Sequence, residues 1–296
     1  MPLRDVEELC RGVVPGGGVV AVEVLGAGLL ADTYRVARDG VAYTLKIAAD
    51  HGLQLGADFT WEARLLERAA AAGVAPSMVY SDAGRKLLLT RWVAGRPWSN
   101  ERAKDPASAG RVVQLLRRVH ALEAPAPSRC ISAERWMEIY AAALARRDLD
   151  AGDAALRAAA AACIRQLDAV TAASPAPGVV CHSDLHALNV IEQGEVLILL
   201  DWEYAHVGDP LWDLAGWSAN NDLAAEPQWL LLTEYGGRSP ACADWQRLRL
   251  NLWLYDYVCL LWSRLYLSRR ATAGNEVAER ARLLDARLRV PANYAA

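Results

Sequence analysis

Between residues 19 and 91, apolar residues come in short runs that alternate with polar residues. The runs read VVAVEVL, TYRVAR, VAYTLKIA, SMVYS and RKLLLTRW, with glycine and aspartate between them. Such runs are typical of strands joined by tight turns, and they predict a small antiparallel β-sheet. One helix is predicted within it, over residues 59–72, because apolar residues recur there at spacings of three and four and Gly73 and Pro76 follow.

After Gly95 and Pro97 the spacing changes to that of helices. Apolar residues share one helical face over 107–122 and 153–171, whereas 245–267 is apolar nearly all round, as expected of a buried helix. The sequence therefore predicts an α+β chain of two lobes. Residues 1–94 form the β lobe, with one helix and a hinge near 91–97, and residues 95–296 form the larger, mainly helical lobe.

The composition narrows the possible partners. The 296 residues are 53% apolar and carry a net charge of −3, with acidic and basic side chains mixed along the chain. No basic run could follow a phosphate backbone, so a nucleic acid is not expected as a partner. The first ten residues lack the apolar core of a secretory signal, and no run of eighteen apolar residues occurs, so we expect a cytoplasmic protein without a membrane segment. The sequence leaves the oligomeric state open.

Features of the β lobe could serve a phosphate-bearing ligand. Gly26 and Gly28 separate two strand runs, where backbone amides could approach a phosphate, although a simple hairpin turn also explains such a pair. Lys46 is one of only three lysines and lies inside an apolar strand. Glu62, on the predicted helix, is the candidate for an ion pair with it. Their simpler interpretations are a surface lysine and a solvated acid in the first turn of a helix.

The most specific pattern is CHSDLHALNVIEQGEVLILLDWEYA, residues 181–205. In it Asp184 is followed by Asn189 and then, after an apolar run, by Asp201. This order suits phosphoryl transfer, since one carboxylate can accept the proton of an attacking hydroxyl while an amide and a second carboxylate supply oxygen ligands to Mg²⁺. Taken singly, the three residues could also be a turn cap, a left-handed turn residue and the end of a strand.

Together these motifs resemble the aminoglycoside phosphotransferase and choline kinase superfamily, which is related to the protein kinases. LGAGLLADTYRV resembles its nucleotide loop, TLKI its lysine strand, DFTWEARLLE its helix with a glutamate, and TRWVAGRPW its hinge. HSDLHALN is similar to its catalytic loop and LLDWEYAHVGDPLWDLA to its metal-binding motif. The resemblance covers nearly the whole chain and implies a protein-kinase-like fold.

The resemblance also implies where a nucleotide binds. ATP would lie between the lobes, with its adenine bonded to the hinge backbone near Arg91 and Val93. Lys46 would hold the α and β phosphates and Glu62 would orient it.

The same resemblance assigns the catalytic loop. Asp184 would be the general base, Asn189 and Asp201 would bind Mg²⁺, and His182 would shape the loop. Asp213 is expected to be a structural or substrate-side acid.

The acceptor is expected to be a small molecule with a hydroxyl group. Seven residues separate Asp201 from Asp209, which precedes Pro210 and is expected to cap the start of the next helix. This distance leaves no room for an activation loop that could hold a peptide.

A choline- or ethanolamine-like cation is the first expectation for this acceptor. The segments WEYA and YVCLLWSRLY resemble choline, ethanolamine and thiamine kinases, and aromatic faces can bind a quaternary ammonium group. The candidate acceptor residues are Trp202, Tyr204, Trp217, Asn220, Asp256 and Trp262.

Other interpretations stay open. Tryptophans in a buried helix are often core residues. Asn220 stands where choline kinases tend to have a glutamate, and Cys259 where they tend to have one of two tryptophans, which puts choline itself in question. The same catalytic residues would suit an aminoglycoside, another antibiotic or thiamine. An ATP-binding pseudoenzyme or regulatory protein is the alternative outside enzymes.

Overall fold

The structure is a computed structural model that describes residues 3–27, 30–49, 55–149, 153–173, 177–269, 275–290 and Tyr294. Its first part is built on a five-stranded antiparallel sheet. The strands are β1 (Val20–Ala27), β2 (Ala31–Arg38), β3 (Val41–Ala48), β4 (Met78–Asp82) and β5 (Leu87–Arg91), and they lie in the order β1-β2-β3-β5-β4. The runs of alternating residues thus correspond to neighbouring strands, as predicted.

The predicted helix of this part is present as α2 (Phe59–Ala71). Asp58 caps its start, since the carboxylate accepts a hydrogen bond from the Trp61 amide at 3.0 Å. Gly73, with a φ of 67°, follows its end in the left-handed conformation that glycine adopts without strain. The helix buries one face, on which Glu62 is also buried.

A further helix, α1 (Leu3–Val13), precedes the sheet, so the expectation of a single helix in this part was wrong. Val6 and Cys10 lie one turn apart on α1 and are buried in a small core with Tyr34, Val36 and Leu45 of the sheet. The apolar residues of α1 recur at spacings of three and four, so the sequence does carry the pattern of this amphipathic helix and the prediction overlooked it.

The second part is mainly helical. Its helices are α3 (Asn100–Lys104), α4 (Pro106–His120), α5 (Ala133–Ala145), α6 (Ala154–Ala173), α7 (Pro210–Asn220), α8 (Ala225–Gly236), α9 (Cys242–Arg269) and α10 (Asn275–Leu288). Helix α9 packs against α5, α6, α7 and α10, which explains why it is apolar nearly all round. Asp209 caps α7 through a 2.9 Å hydrogen bond from the Leu211 amide, as predicted. The division of the chain at residues 94 and 95 remains our proposal.

Two small antiparallel sheets lie between these helices. One contains β6 (Arg96–Pro97), β8 (Val190–Gln193) and β9 (Val196–Leu199), and the other pairs β7 (Val179–Cys181) with β10 (His206–Gly208). The hairpin of β8 and β9 follows a 3₁₀ turn at Ala187–Asn189. Among the residues that the structure describes, no helix has the length and apolar character needed to cross a membrane.

Candidate active site

The β8–β9 hairpin brings Asn189 close to Asp201. Val190 pairs with Leu199, and the amide of Leu200 donates to the carbonyl of Asn189 at 2.8 Å. The residues just outside the hairpin therefore lie side by side. Asp201 has a positive φ of 62°, which L-residues seldom adopt, and its side chain is 41% exposed.

Asn189 also contacts Asp184. Its amide nitrogen donates to the Asp184 carbonyl at 2.9 Å and to the carboxylate oxygen Oδ2 at 3.2 Å. These bonds fix the amide plane and leave the Asn189 oxygen Oδ1 as the atom that a cation could use. The three residues of the sequence pattern are thus brought together around one hairpin.

Asp213 holds the preceding loop in place. The amides of His182 and Ser183 each donate to its carboxylate at 2.8 Å, and the ring nitrogen Nε2 of His120 lies 3.1 Å from it. Burial acts to raise the pKa of Asp213, but these neighbours outweigh burial and lower it, so the group stays ionised. Asp213 is therefore a structural acid, the first of the two roles expected for it.

His182 is fully buried and is not part of the cavity lining. Its Nε2 lies 2.8 Å from the Leu200 carbonyl, and its ring packs edge-on against Trp202. Burial lowers the pKa of His182, because the charged imidazolium is poorly solvated there. The contact with Leu200 links the loop before Asp184 to the segment that carries Asp201.

The ammonium of Lys46 lies among three carboxylates. Its Nζ atom is 2.8 Å from Glu62 Oε1, 2.8 Å from Asp201 Oδ1 and 2.7 Å from Glu203 Oε2. The ion pair predicted between Lys46 and Glu62 is therefore present. Burial acts to lower the pKa of Lys46, but the carboxylates together raise it well above its usual range. Lys46 is thus a fixed positive charge in the free protein.

Glu203 was not recognised from the sequence, although it lies two residues after Asp201 in the same motif. Its side chain is 13% exposed, and burial together with the neighbouring Asp201 raises its pKa to about 8 in spite of Lys46. Near neutral pH this group therefore carries a proton that an ordinary glutamate would have lost.

One cavity of about 560 Å³ opens beside these groups, a size suited to small ligands. Gly26, Leu30, Thr33 and Lys46 form its wall on the sheet side. The catalytic-loop side contributes Ser183, Asp184, His186, Asp201 and Glu203. The remaining wall is largely aromatic, with Trp136, Tyr140, Tyr204, Trp212, Tyr255, Trp262 and Tyr266.

Three of the six candidate acceptor residues line this cavity. They are Tyr204, Asn220 and Trp262. The Trp262 indole donates to the Tyr204 hydroxyl at 2.8 Å, so the two rings are held together at the aromatic wall.

The other three candidates lie in the core, and placing them at the acceptor was wrong. Trp202 is 1% exposed and donates to the Leu199 carbonyl, while Trp217 packs edge-on against Trp98. Asp256 is also buried, and it accepts hydrogen bonds from Arg287 and from the Tyr294 hydroxyl. Its carboxylate is satisfied inside the protein and does not face the cavity.

Only some of the predicted nucleotide-binding residues line the cavity. Gly26 lines the cavity, whereas Gly28 lies outside the described residues. The Arg91 amide donates to the Ser77 carbonyl at 2.8 Å and is already used within the sheet. Val93 follows β5 in an irregular segment, and neither hinge residue is part of the cavity lining.

Two lining residues with basic side chains, His186 and Arg280, were also not predicted from the sequence. His186 lies in the catalytic-loop motif, with Nε2 3.7 Å from Asp184 Oδ2. Arg280 reaches the cavity from α10 and donates to Asn220 Oδ1 at 2.5 Å. Nothing in the sequence around Arg280 marks it, because the contact joins residues that are 60 positions apart.

Solved structures of similar fold include choline and ethanolamine kinases and antibiotic phosphotransferases. A choline/ethanolamine kinase family protein from Mesorhizobium loti has a TM-score of 0.76 at 24% identity, over 98% of this chain and 96% of that one. Choline kinase LicA from Streptococcus pneumoniae has a TM-score of 0.77 at 18% identity, over 97% and 98%. A LicA structure in complex with AMP is similar to the same extent, with a TM-score of 0.75. These likenesses support the predicted kinase-like fold.

Sequence comparison identifies the family. The LicA homolog of Mycoplasma capricolum subsp. capricolum is 31% identical over 87 residues, which are 29% of this chain and 34%, about a third, of that relative. The family model described as the phosphotransferase enzyme family matches residues 21–231, well over half of the chain. The chain therefore belongs to the phosphotransferase enzyme family, as the resemblance of its motifs implied.

Proposed function

We propose that this protein transfers the γ-phosphate of ATP to a hydroxyl group of a small organic molecule. The observation that carries the proposal is the convergence of Lys46, Asp184 and Asp201 on one end of a cavity whose other end is aromatic. The first end offers the charges that phosphoryl transfer needs, and the second offers space for an acceptor.

The nucleotide would lie against the sheet side of the cavity. Lys46 is ready to bind phosphate oxygens, because Glu62 holds its ammonium in place from a buried position. LicA, a protein of similar fold, has been solved in complex with AMP, which supports nucleotide binding by this fold. Binding would exchange the bonds from Lys46 to Asp201 and Glu203 for bonds to phosphate, and it would leave the Asp201 carboxylate available to a cation.

The residues at the hairpin fit Mg²⁺. Asp201 uses Oδ1 for Lys46, which leaves its other oxygen, and the amide bonds of Asn189 leave Oδ1. Carboxylate and amide oxygens are the hard ligands that Mg²⁺ prefers. When bound, the ion would supply positive charge to the phosphate oxygens during transfer.

Asp184 is the group we assign as general base. It lines the cavity, and the contact from Asn189 orients its carboxylate. A hydroxyl placed beside it could pass its proton to the carboxylate while the oxygen attacks the phosphate. Asp213 fixes the backbone of the preceding loop through two amides, so the position of the base does not depend on the Asn189 contact alone.

The choline- or ethanolamine-like acceptor expected from the sequence has mixed support. The aromatic wall suits an apolar or cationic body. Among the described lining residues, however, the carboxylates all belong to the catalytic end, and Arg280 adds a positive charge. An aminoglycoside, which carries several positive charges, would meet the same difficulty. We therefore propose a small alcohol as the acceptor.

The test is ATP consumption in the presence of Mg²⁺ over a panel of choline, ethanolamine, thiamine, hydroxy acids, aminoglycosides and nucleosides. The proposal predicts ADP formation that depends on one acceptor class, together with a phosphorylated product. Tight ATP binding without transfer to any acceptor would support the pseudoenzyme instead.

A further inference from the structure

The aromatic end of the cavity contains one cationic side chain, Arg280, among the residues that the structure describes. The residue lies on α10, is exposed, and reaches into the lining between Tyr255, Cys259 and Asn220. An exposed arginine on a helix is most often only solvated. Whether Arg280 binds a substrate is therefore judged from its contacts. Any role toward the acceptor rests on the proposed function, because the acceptor is the second substrate of that reaction.

Arg280 differs from the other arginines of its helix. Arg282 pairs with Glu279 on the helix surface, and Arg287 pairs with the buried Asp256. In the described part of the chain, no carboxylate forms an ion pair with Arg280, whose hydrogen-bond partner is the neutral amide of Asn220. Burial acts to lower the pKa of Arg280, but the carboxylates of Asp184 and Asp256 act on it from beyond ion-pair distance and help to raise that pKa, so the group stays charged. Neither carboxylate occupies its hydrogen-bond donors.

A chain of hydrogen bonds holds the partner amide in a fixed orientation. The Asn220 nitrogen donates to the Leu185 carbonyl at 3.0 Å and to the Tyr255 hydroxyl at 2.8 Å. The Tyr255 hydroxyl in turn donates to the Ser183 carbonyl at 3.1 Å. With its nitrogen engaged, Asn220 must present its oxygen to Arg280. These bonds fix the guanidinium relative to Ser183 and Leu185, the two residues on either side of Asp184.

We infer that Arg280 binds an oxyanion on the acceptor, so that the substrate is a small hydroxy acid or a similar anionic alcohol rather than choline or ethanolamine. A guanidinium has five N–H donors in a planar fork, and the bond to Asn220 uses one of them. The remaining donors can bind a carboxylate in the bidentate manner that arginine favours. A quaternary ammonium would instead meet a like charge at this end.

The same bonds limit the size of the substrate. Asn220 connects Arg280 to the carbonyl of Leu185, the residue next to Asp184. The anionic group and the reacting hydroxyl would therefore be separated by a short, rigid span. The aromatic residues around them can pack against the body of the molecule.

The test uses pairs of acceptors that differ only in charge. The probes are 3-(hydroxymethyl)benzoate against 3-(hydroxymethyl)benzylamine, and glycolate against ethanolamine, with choline as a reference. ADP formation with Mg·ATP and isothermal titration of each probe are measured for the wild type, Arg280→Gln and Arg280→Glu. Arg282→Gln, two positions away on α10 and outside the cavity lining, is the matched control.

We expect the anionic member of a pair to be preferred by about tenfold or more in kcat/KM or in affinity. Arg280→Gln should raise the KM for the anionic acceptor by about 10- to 100-fold, the range expected for loss of a charged hydrogen bond. The KM for ATP should not change. Arg280→Glu should move the preference toward the amines, and Arg282→Gln should change nothing.

Two results would overturn the inference: equal or better use of the cationic probes by the wild type, or an anion KM that does not respond to Arg280→Gln. An equal fall of kcat with every acceptor would also overturn it, because Arg280 would then act on the transferred phosphate. These outcomes differ from failure of the proposed function, in which Mg·ATP is not consumed with any acceptor of the wider panel.

Discussion

The ammonium of Lys46 lies 2.8 Å from the carboxylate of Asp201, a residue 155 positions later in the chain. The contact joins the N-terminal sheet to the segment after the β8–β9 hairpin. Both partners line the cavity, and in the proposed reaction one would bind phosphate and the other Mg²⁺. The bond between them therefore keeps two opposite charges together until a nucleotide takes its place.

Replacing Lys46 tests this arrangement. We expect Lys46→Met to lower turnover by at least about two to three orders of magnitude, because a fixed positive charge at the phosphates is lost. ADP formation at saturating ATP is the measurement, with circular dichroism to check folding. Lys104→Met, at an exposed position of α3, is the control and should retain activity. Wild-type turnover in Lys46→Met would contradict the nucleotide site.

Glu203 should make stability depend on pH. Its pKa is raised to about 8 from an ordinary value of 4.5, so between these pH values the folded protein holds a proton that the unfolded chain has released. Stability is therefore lost as the pH rises through this window, by up to about 1.4 kcal/mol per pH unit. Glu203→Gln removes the titrating group and should flatten the profile.

The check on Glu203 is urea unfolding without nucleotide at a series of pH values across this window. As the pH rises, the free energy of unfolding of the wild type should fall relative to that of Glu203→Gln. Glu234→Gln, at an exposed position of α8, should follow the wild type. Parallel profiles for the wild type and Glu203→Gln would show that the raised pKa is absent.

Two tryptophans that look alike in sequence should respond differently to substitution. Trp217→Ala should reduce the free energy of unfolding by about 3–5 kcal/mol, because the ring is buried against Trp98. The milder Trp217→Phe should leave the acceptor KM unchanged. Trp262→Ala removes part of the cavity wall and should raise that KM by about 3- to 10-fold. A raised acceptor KM in Trp217→Phe would contradict the core assignment and indicate that Trp217 contacts the acceptor.

The sequence predicted those parts of the fold that short-range patterns determine. The strand runs, the cap of α7 by Asp209 and the pair of Lys46 with Glu62 all follow from spacing, turn residues and motif order. The order of Asp184, Asn189 and Asp201 could be interpreted for the same reason, since one hairpin brings them together.

The acceptor end depends on contacts that no local pattern contains. Composition shows that α7 and α9 are rich in aromatic residues, but it cannot tell that Trp217 faces the core and Trp262 the cavity. Asp256 could not be distinguished from a ligand without seeing Arg287 beside it. Arg280 was missed because its role depends on how α10 packs against α9 and reaches Asn220 at the end of α7, not on its own surroundings in sequence.

The assignment of Asp184 as the base of a phosphotransferase is tested by comparing ADP formation by the wild type and by Asp184→Asn at saturating Mg·ATP and acceptor. The substitution keeps the shape of the side chain but removes the base. We expect turnover to fall by about two to four orders of magnitude, with the affinity for ATP in titration calorimetry retained. Turnover equal to that of the wild type would contradict the proposed mechanism, because Asp184 could then not be the base.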